Sequence, residues 1–141
     1  MNRQDAEDAK KMREPDKDVD RLAHEVIGAA IKVHKSLGPG YLESVYESAL
    51  CVELEHLQIK YERQKLFSLT YRDKPIGDGR IDMVIGDTLV VELKAVEQLA
   101  PIHKAQVISY LKATGHDLGL LINFNVSVLK NGIKRIILSN T

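Results

Sequence analysis

The sequence has no charge excess of either sign. Its 20 Lys and Arg balance 20 Asp and Glu, for a formal net charge of zero. This argues against a protein that coats nucleic acid non-specifically, since such chains carry a strong basic excess. It leaves open an enzyme acting on nucleic acid, because a local basic rim can offset an acidic site and the sum hides the distribution. Cysteine is nearly absent: with Cys51 alone, no internal disulfide can form. No apolar run approaches the roughly 20 residues that span a bilayer, so no membrane association is expected. The opening MNRQDAEDAKKMREPDKDVD lacks the apolar core of a signal peptide. A cytoplasmic location is the expectation. The histidines, His24, His34, His56, His103 and His116, show neither HxxxH nor HxH spacing, which argues against a zinc centre.

What is there describes one globular domain. In 141 residues, 44% are hydrophobic and 28% charged, enough to bury a sizeable core. Residues 1–18 are dense in charge with little to bury and read as a solvated tail, leaving a single domain over 19–141. Val19, Leu22, Val26, Ile27, Ala30, Val33 and Leu37 recur at helical spacing, and Gly38 and Pro39 stop the pattern. A second helix spans about Tyr41 to Leu57, with Leu42, Val45, Tyr46, Ala49, Leu50, Leu54 and Leu57 as its apolar stripe.

The period then changes to two. Tyr61 to Tyr71 reads as one long strand or two short ones, ending at a turn around residues 72–75. Gly77 and Gly79 fall in a turn around Asp78. Gly79 to Ile85 is a strand with Ile81, Met83 and Ile85 on one face, and Gly86-Asp87 is a tight-turn signal. Thr88 to Ala95 is a Val- and Leu-rich, central strand. Pro101 opens a helix to about Ala113, closed by Thr114-Gly115. Leu118 to Phe124 is a buried strand, Asn131-Gly132 a hairpin turn, and Ile133 to Leu138 a last strand. The order α-α-β-β-β-α-β-β predicts an α/β fold, a mixed central sheet flanked by helices.

One strand breaks the rule for burial. Val90, Glu92 and Lys94 share a face, since side chains alternate with period two, so a carboxylate and an ammonium sit on a central strand. Asp82 lies on the preceding strand, on the face with Arg80 and Val84. If the hairpin register places them opposite each other, Asp82 and Glu92 meet; a one-residue slip would separate them. Such a set is either an ion pair on a solvated sheet face or a metal site. Carboxylate oxygens suit Mg2+, which can hold a phosphate oxygen and acidify a bound water that Lys94 orients.

Asp82 followed ten residues later by Glu92-Leu93-Lys94, in a hairpin leading to a helix, resembles the PD-(D/E)XK nuclease superfamily. Its core of helix, three strands, helix and strand fits Tyr41 to Phe124. The segment Gly40-Tyr41-Leu42-Glu43-Ser44-Val45-Tyr46 is similar to the signature of the GxxExxY family, a small prokaryotic branch of that superfamily, and further similar blocks run from Val19 to Leu138. The resemblance implies a restriction-endonuclease-like core and a Mg2+-dependent nuclease, with Mn2+ as a substitute. Asp82, Glu92 and the Leu93 carbonyl would be metal ligands and Lys94 the catalytic lysine. Glu43 would be an additional acidic residue near the metal. Gln106 and Tyr110, one helical turn apart, would face the site. The substrate implied is a phosphodiester in DNA rather than RNA. Alternatives are a non-catalytic nuclease-like module binding nucleic acid or a protein, and a hydrolase of small phosphoesters. The domain has no evident specificity module, so long sequence-specific recognition would need a homodimer.

Other residues receive simpler readings. Glu47 is expected as a solvated charge, Tyr46 as core, His103 as a surface residue and Cys51 as a helix-buried thiol.

Overall fold

A computed structural model describes residues 16–138 of the chain. The first helix, α1, spans Lys17–Leu37. It starts two residues before the expected Val19 because Asp16 caps it, accepting from the Asp18 N–H at 3.0 Å. Asp18 and Asp20 in the first turn, and His34 and Lys35 in the last, oppose the helix dipole. Residues 1–15 of the expected tail lie outside the described residues.

The second helix, α2, spans Glu43–His56. Its buried face is Tyr46, Glu47, Leu50, Cys51 and Leu54. The expected stripe is therefore rotated: Leu42, Val45 and Leu57 are exposed. The cause is the Tyr46 ring, which stacks on Phe124 with centroids 4.4 Å apart and fixes the helix's rotation.

Five strands follow in sheet order β1-β2-β3-β4-β5. They are β1 Tyr61–Tyr71, β2 Lys74–Ile85, β3 Leu89–Lys94, β4 Leu118–Asn123 and β5 Ile133–Ile137. All pairs are antiparallel except β3 and β4, which are parallel and joined through helix α3, Pro101–Thr114. This is the mixed α/β sheet flanked by helices that the pattern predicts, with the arrangement of a restriction-endonuclease-like core. Helices α1 and α2 cover one face, over Met83, Ile85, Val91, Leu93 and Leu120. Helix α3 covers the other, packing Val107 and Leu111 over Ile81, Val84, Val90 and Leu121. Gly119 permits that approach, since a Cβ there would meet Val107 Cγ1 at 2.8 Å.

Several local expectations are corrected. β2 begins at Lys74, not Gly79, because Arg72 and Asp73 both take left-handed backbone (φ 51° and 64°) and close a two-residue hairpin. Gly77 and Gly79 therefore lie within a strand. Gly79 leaves room for Phe67, whose ring crosses the place a side chain would fill. Asn131-Gly132 forms no two-residue hairpin turn; Leu129–Gly132 is a 3-10 helix. Gly132 is needed there for a different reason, since a Cβ would lie 2.3 Å from the Asn123 carbonyl oxygen. Among the described residues, no helix is long and apolar enough to cross a membrane.

Candidate functional site

The β2–β3 hairpin pairs Met83 with Val91, Val84 with Val90 and Ile85 with Leu89. Continuing that register places Asp82 opposite Glu92. Regular backbone pairing stops at this point. The Asp82 N–H donates instead to Glu92 Oε1 at 2.9 Å, and the Leu93 N–H donates to Asp82 Oδ2 at 2.9 Å. Two carboxylates thus take the places that backbone carbonyls occupy in an unbroken ladder.

The strand also turns over here. Met83 packs toward α1 and α2, whereas Ile81 packs toward α3. Residues two apart on a strand normally share a face, so the expected common face of Ile81, Met83 and Ile85 is wrong at Ile81. The same reversal occurs on β1, where Tyr61 packs with the first cluster and Phe67 with the second.

Glu92 is 4% exposed. Burial, then the charge of Asp82, pushes its pKa from 4.5 up to about 8, while Lys94 pulls the other way. Lys94 is half-buried at the end of β3, and its carbonyl accepts from the Phe124 N–H at 2.9 Å. Among the described residues Lys94 makes no ion pair. On the α3 side, burial and then the charges of Glu92 and Asp82 raise the Tyr110 phenol, and Gln106 beside it opposes this. Tyr110 also meets the Phe67 ring edge-on at 5.3 Å. Tyr110 therefore senses the charge of the carboxylate pair, and Gln106 lies beside Tyr110.

On the α2 side a cleft of about 340 Å³ is lined by Glu43, Glu47, Gln64, Arg80, Asp82 and Leu93 among others. Glu43 is exposed at the start of α2 and shares this cleft with Asp82. Leu93 buries its side chain in the core and offers its N–H to Asp82. Among the described residues no group of three or more His, Cys, Asp or Glu converges as a ready metal cage. The carboxylates that could hold a cation here are the Asp82–Glu92 pair. It still fits a hard divalent cation: Mg2+ keeps several waters and commonly takes one or two carboxylates. A buried carboxylate pushed up to about 8 is also one whose ionised form gains from a nearby positive charge.

Residues that the alternation pattern does not mark also shape this region. Glu47, expected in solvent, is 7% exposed. Its Oε2 accepts from Arg63 Nε and Nη2 at 3.0 and 2.8 Å, and its Oε1 accepts from Gln64 Nε2 at 2.6 Å. The signal available was its spacing from Tyr46, Leu50, Cys51 and Leu54, which puts it on the buried face of α2. Asn123 holds the segment after β3: Oδ1 accepts from the Val96 N–H at 3.0 Å and Nδ2 donates to the Val96 carbonyl at 2.9 Å. Tyr46 is core, as expected, and its hydroxyl serves the preceding link rather than Glu43. It donates to the Gly38 carbonyl at 2.6 Å and accepts from the Tyr41 N–H at 3.2 Å. His103 is half-buried and folds back on its own helix start, accepting from the Ala100 N–H at 2.9 Å.

A family model described as PD-(D/E)XK nuclease superfamily matches residues 20–136. No curated protein and no solved structure matches the chain.

Proposed function

The chain belongs to the PD-(D/E)XK nuclease superfamily, and we propose that it is a Mg2+-dependent nuclease that hydrolyses phosphodiester bonds in cytoplasmic DNA, with Mn2+ as a substitute. The observation that carries this reading is the Asp82–Glu92 pair, each carboxylate holding a backbone N–H at 2.9 Å where the ladder between their strands ends. The Gly40 to Tyr46 segment supports placing the chain in the GxxExxY branch. A homodimer would lengthen the site it recognises.

Asp82 and Glu92 would hold the cation, with the Leu93 carbonyl as a third oxygen. When bound, the cation would polarise a non-bridging phosphate oxygen and acidify a coordinated water. Lys94, at the end of β3, would orient the attacking water and offset the charge that develops on the phosphate. Glu43, which lines the same cleft as Asp82, would hydrogen-bond the attacking water. Gln106 and Tyr110 supply neutral donors from α3, positioning the scissile phosphate without adding repulsion to it.

The test is a cleavage screen against double-stranded DNA, single-stranded DNA and RNA with Mg2+ or Mn2+, using Glu92→Ala as control. Cation-dependent cleavage of DNA, lost in the control, is expected. No cleavage of any substrate, or equal cleavage by Glu92→Ala, would leave a nuclease-like module that binds without catalysis.

A further inference from the structure

The reversal of faces at Asp82 needs a cause, and it lies on the neighbouring strand. β1 pairs Arg63 with Met83 and Lys65 with Ile81, and the position between them, Gln64 opposite Asp82, is the one left unpaired. Gln64 has φ 51°, a left-handed conformation that a non-glycine residue adopts only when something holds it. Glu47, buried on α2, accepts from the Gln64 side-chain amide with one carboxylate oxygen and from the Arg63 guanidinium with the other.

We infer that Glu47 is a positioning residue that, by pinning Gln64 in left-handed backbone, keeps Asp82 out of the β1–β2 ladder and turned toward Glu92. Were Gln64 to relax to extended backbone, β1 would pair across Asp82. Strand alternation would then run unbroken through residues 81 to 83, and the Asp82 carboxylate would be drawn away from the Leu93 N–H. This rests on the reading of Asp82 and Glu92 as the functional pair, yet its first readout needs no cation and no cleavage.

The test compares two substitutions at Gln64, an exposed side chain whose replacement leaves the core intact. In an ordinary strand alanine is better tolerated than glycine. Here the order reverses. Gln64→Ala loses the tether and keeps the left-handed penalty, so amide exchange at Asp82 and Leu93 rises at least about tenfold, while Leu120 and Ile122 in β4 stay protected. Gln64→Gly takes the same backbone freely and stays within about threefold of the parent. Glu47→Ala behaves like Gln64→Ala, and adding Gln64→Gly to it restores protection. Mn2+ titration of the same variants is expected to follow the same order.

Equal exchange in Gln64→Ala and Gln64→Gly, or the ordinary order with glycine worse, overturns the inference. If the parent binds Mn2+ and Asp82→Asn does not, that failure leaves the cation reading standing. If the parent binds no Mn2+, the cation reading falls and the exchange order still decides the role of Glu47.

Discussion

Asp82 and Glu92 each hold a backbone N–H of the other's strand. The Asp82 N–H reaches Glu92 Oε1 at 2.9 Å, and the N–H of Leu93, the next residue after Glu92, reaches Asp82 Oδ2 at 2.9 Å. Each carboxylate commits one oxygen to this clasp and retains a second. Two carboxyl groups are thereby held close by backbone donors, which neither can leave without orphaning an N–H. On the proposed reading, such a pair would be preorganised for a cation rather than assembled by it.

Removing either carboxylate should end the chemistry and spare the fold. Asp82→Ala and Glu92→Ala are expected to lower cleavage by at least about 100-fold, since even outer partners of metal ligands cost 10–100-fold. Circular dichroism should remain native. Unchanged cleavage in both variants would remove the pair from the reaction.

The same burial that readies Glu92 costs stability. Its pKa in the fold, about 8, lies above the ordinary 4.5, so the folded state retains a proton that the unfolded chain has lost. Without added metal, stability should therefore fall as pH rises from about 4.5 to about 8. Glu92→Gln should flatten that slope and make the protein more stable than the parent at pH 8.5, by about 2 kcal/mol. Denaturant melts at pH 5, 7 and 8.5 check this. A parent that gains stability across the interval would contradict the buried, protonated Glu92.

Cation binding should release that proton. Below pH 8, Mg2+ or Mn2+ affinity is expected to rise about tenfold per pH unit, because a protonated carboxylate is not a ligand. Calorimetry in buffers of different ionisation enthalpy would count the protons. A dissociation constant that does not change between pH 6 and 8 would take Glu92 out of the ligand set.

Lys94→Ala should separate chemistry from binding. A lysine that orients water contributes about 100-fold or more to rate and little to cation affinity. Calorimetry showing lost cation binding with no separate fall in turnover would assign Lys94 to the Glu92 charge balance instead.

Tyr46→Phe tests the link before α2. It keeps the stack on Phe124 but loses the hydroxyl that joins the Gly38 carbonyl to the Tyr41 N–H. A loss of about 1 kcal/mol in thermal or denaturant melts is expected. No loss would mean that the link is held by Gly38 and Gly40, both at positive φ, without help from Tyr46.

Much of this was legible in the residues. The glycine and proline stops, the change of period after α2 and the apolar run of β4 place the elements, because they report local backbone preference and burial together. The register that joins Asp82 to Glu92 was left open by the residues: a two-residue Gly86-Asp87 loop would pair Ile85 with Thr88, whereas the turn includes Thr88 and pairs Ile85 with Leu89. What alternation could not report is its own interruption. The reversal at Asp82 depends on Gln64, and Gln64 depends on Glu47, seventeen residues earlier on a helix. Glu47 looked like a solvated charge for the same reason: its partners, Arg63 and Gln64, come from a strand that only the tertiary fold brings beneath it.

Among the described residues β1 is an edge of the sheet, with eleven residues whose outer backbone groups have no strand beside them. A flat edge of that length invites pairing with a second chain and fibrous aggregation. Left-handed Gln64 interrupts it after three residues, so that the longest regular stretch of edge is seven. The kink that frees a carboxylate on the inner side thus protects solubility on the outer one, and relaxing it would expose a continuous, sticky edge.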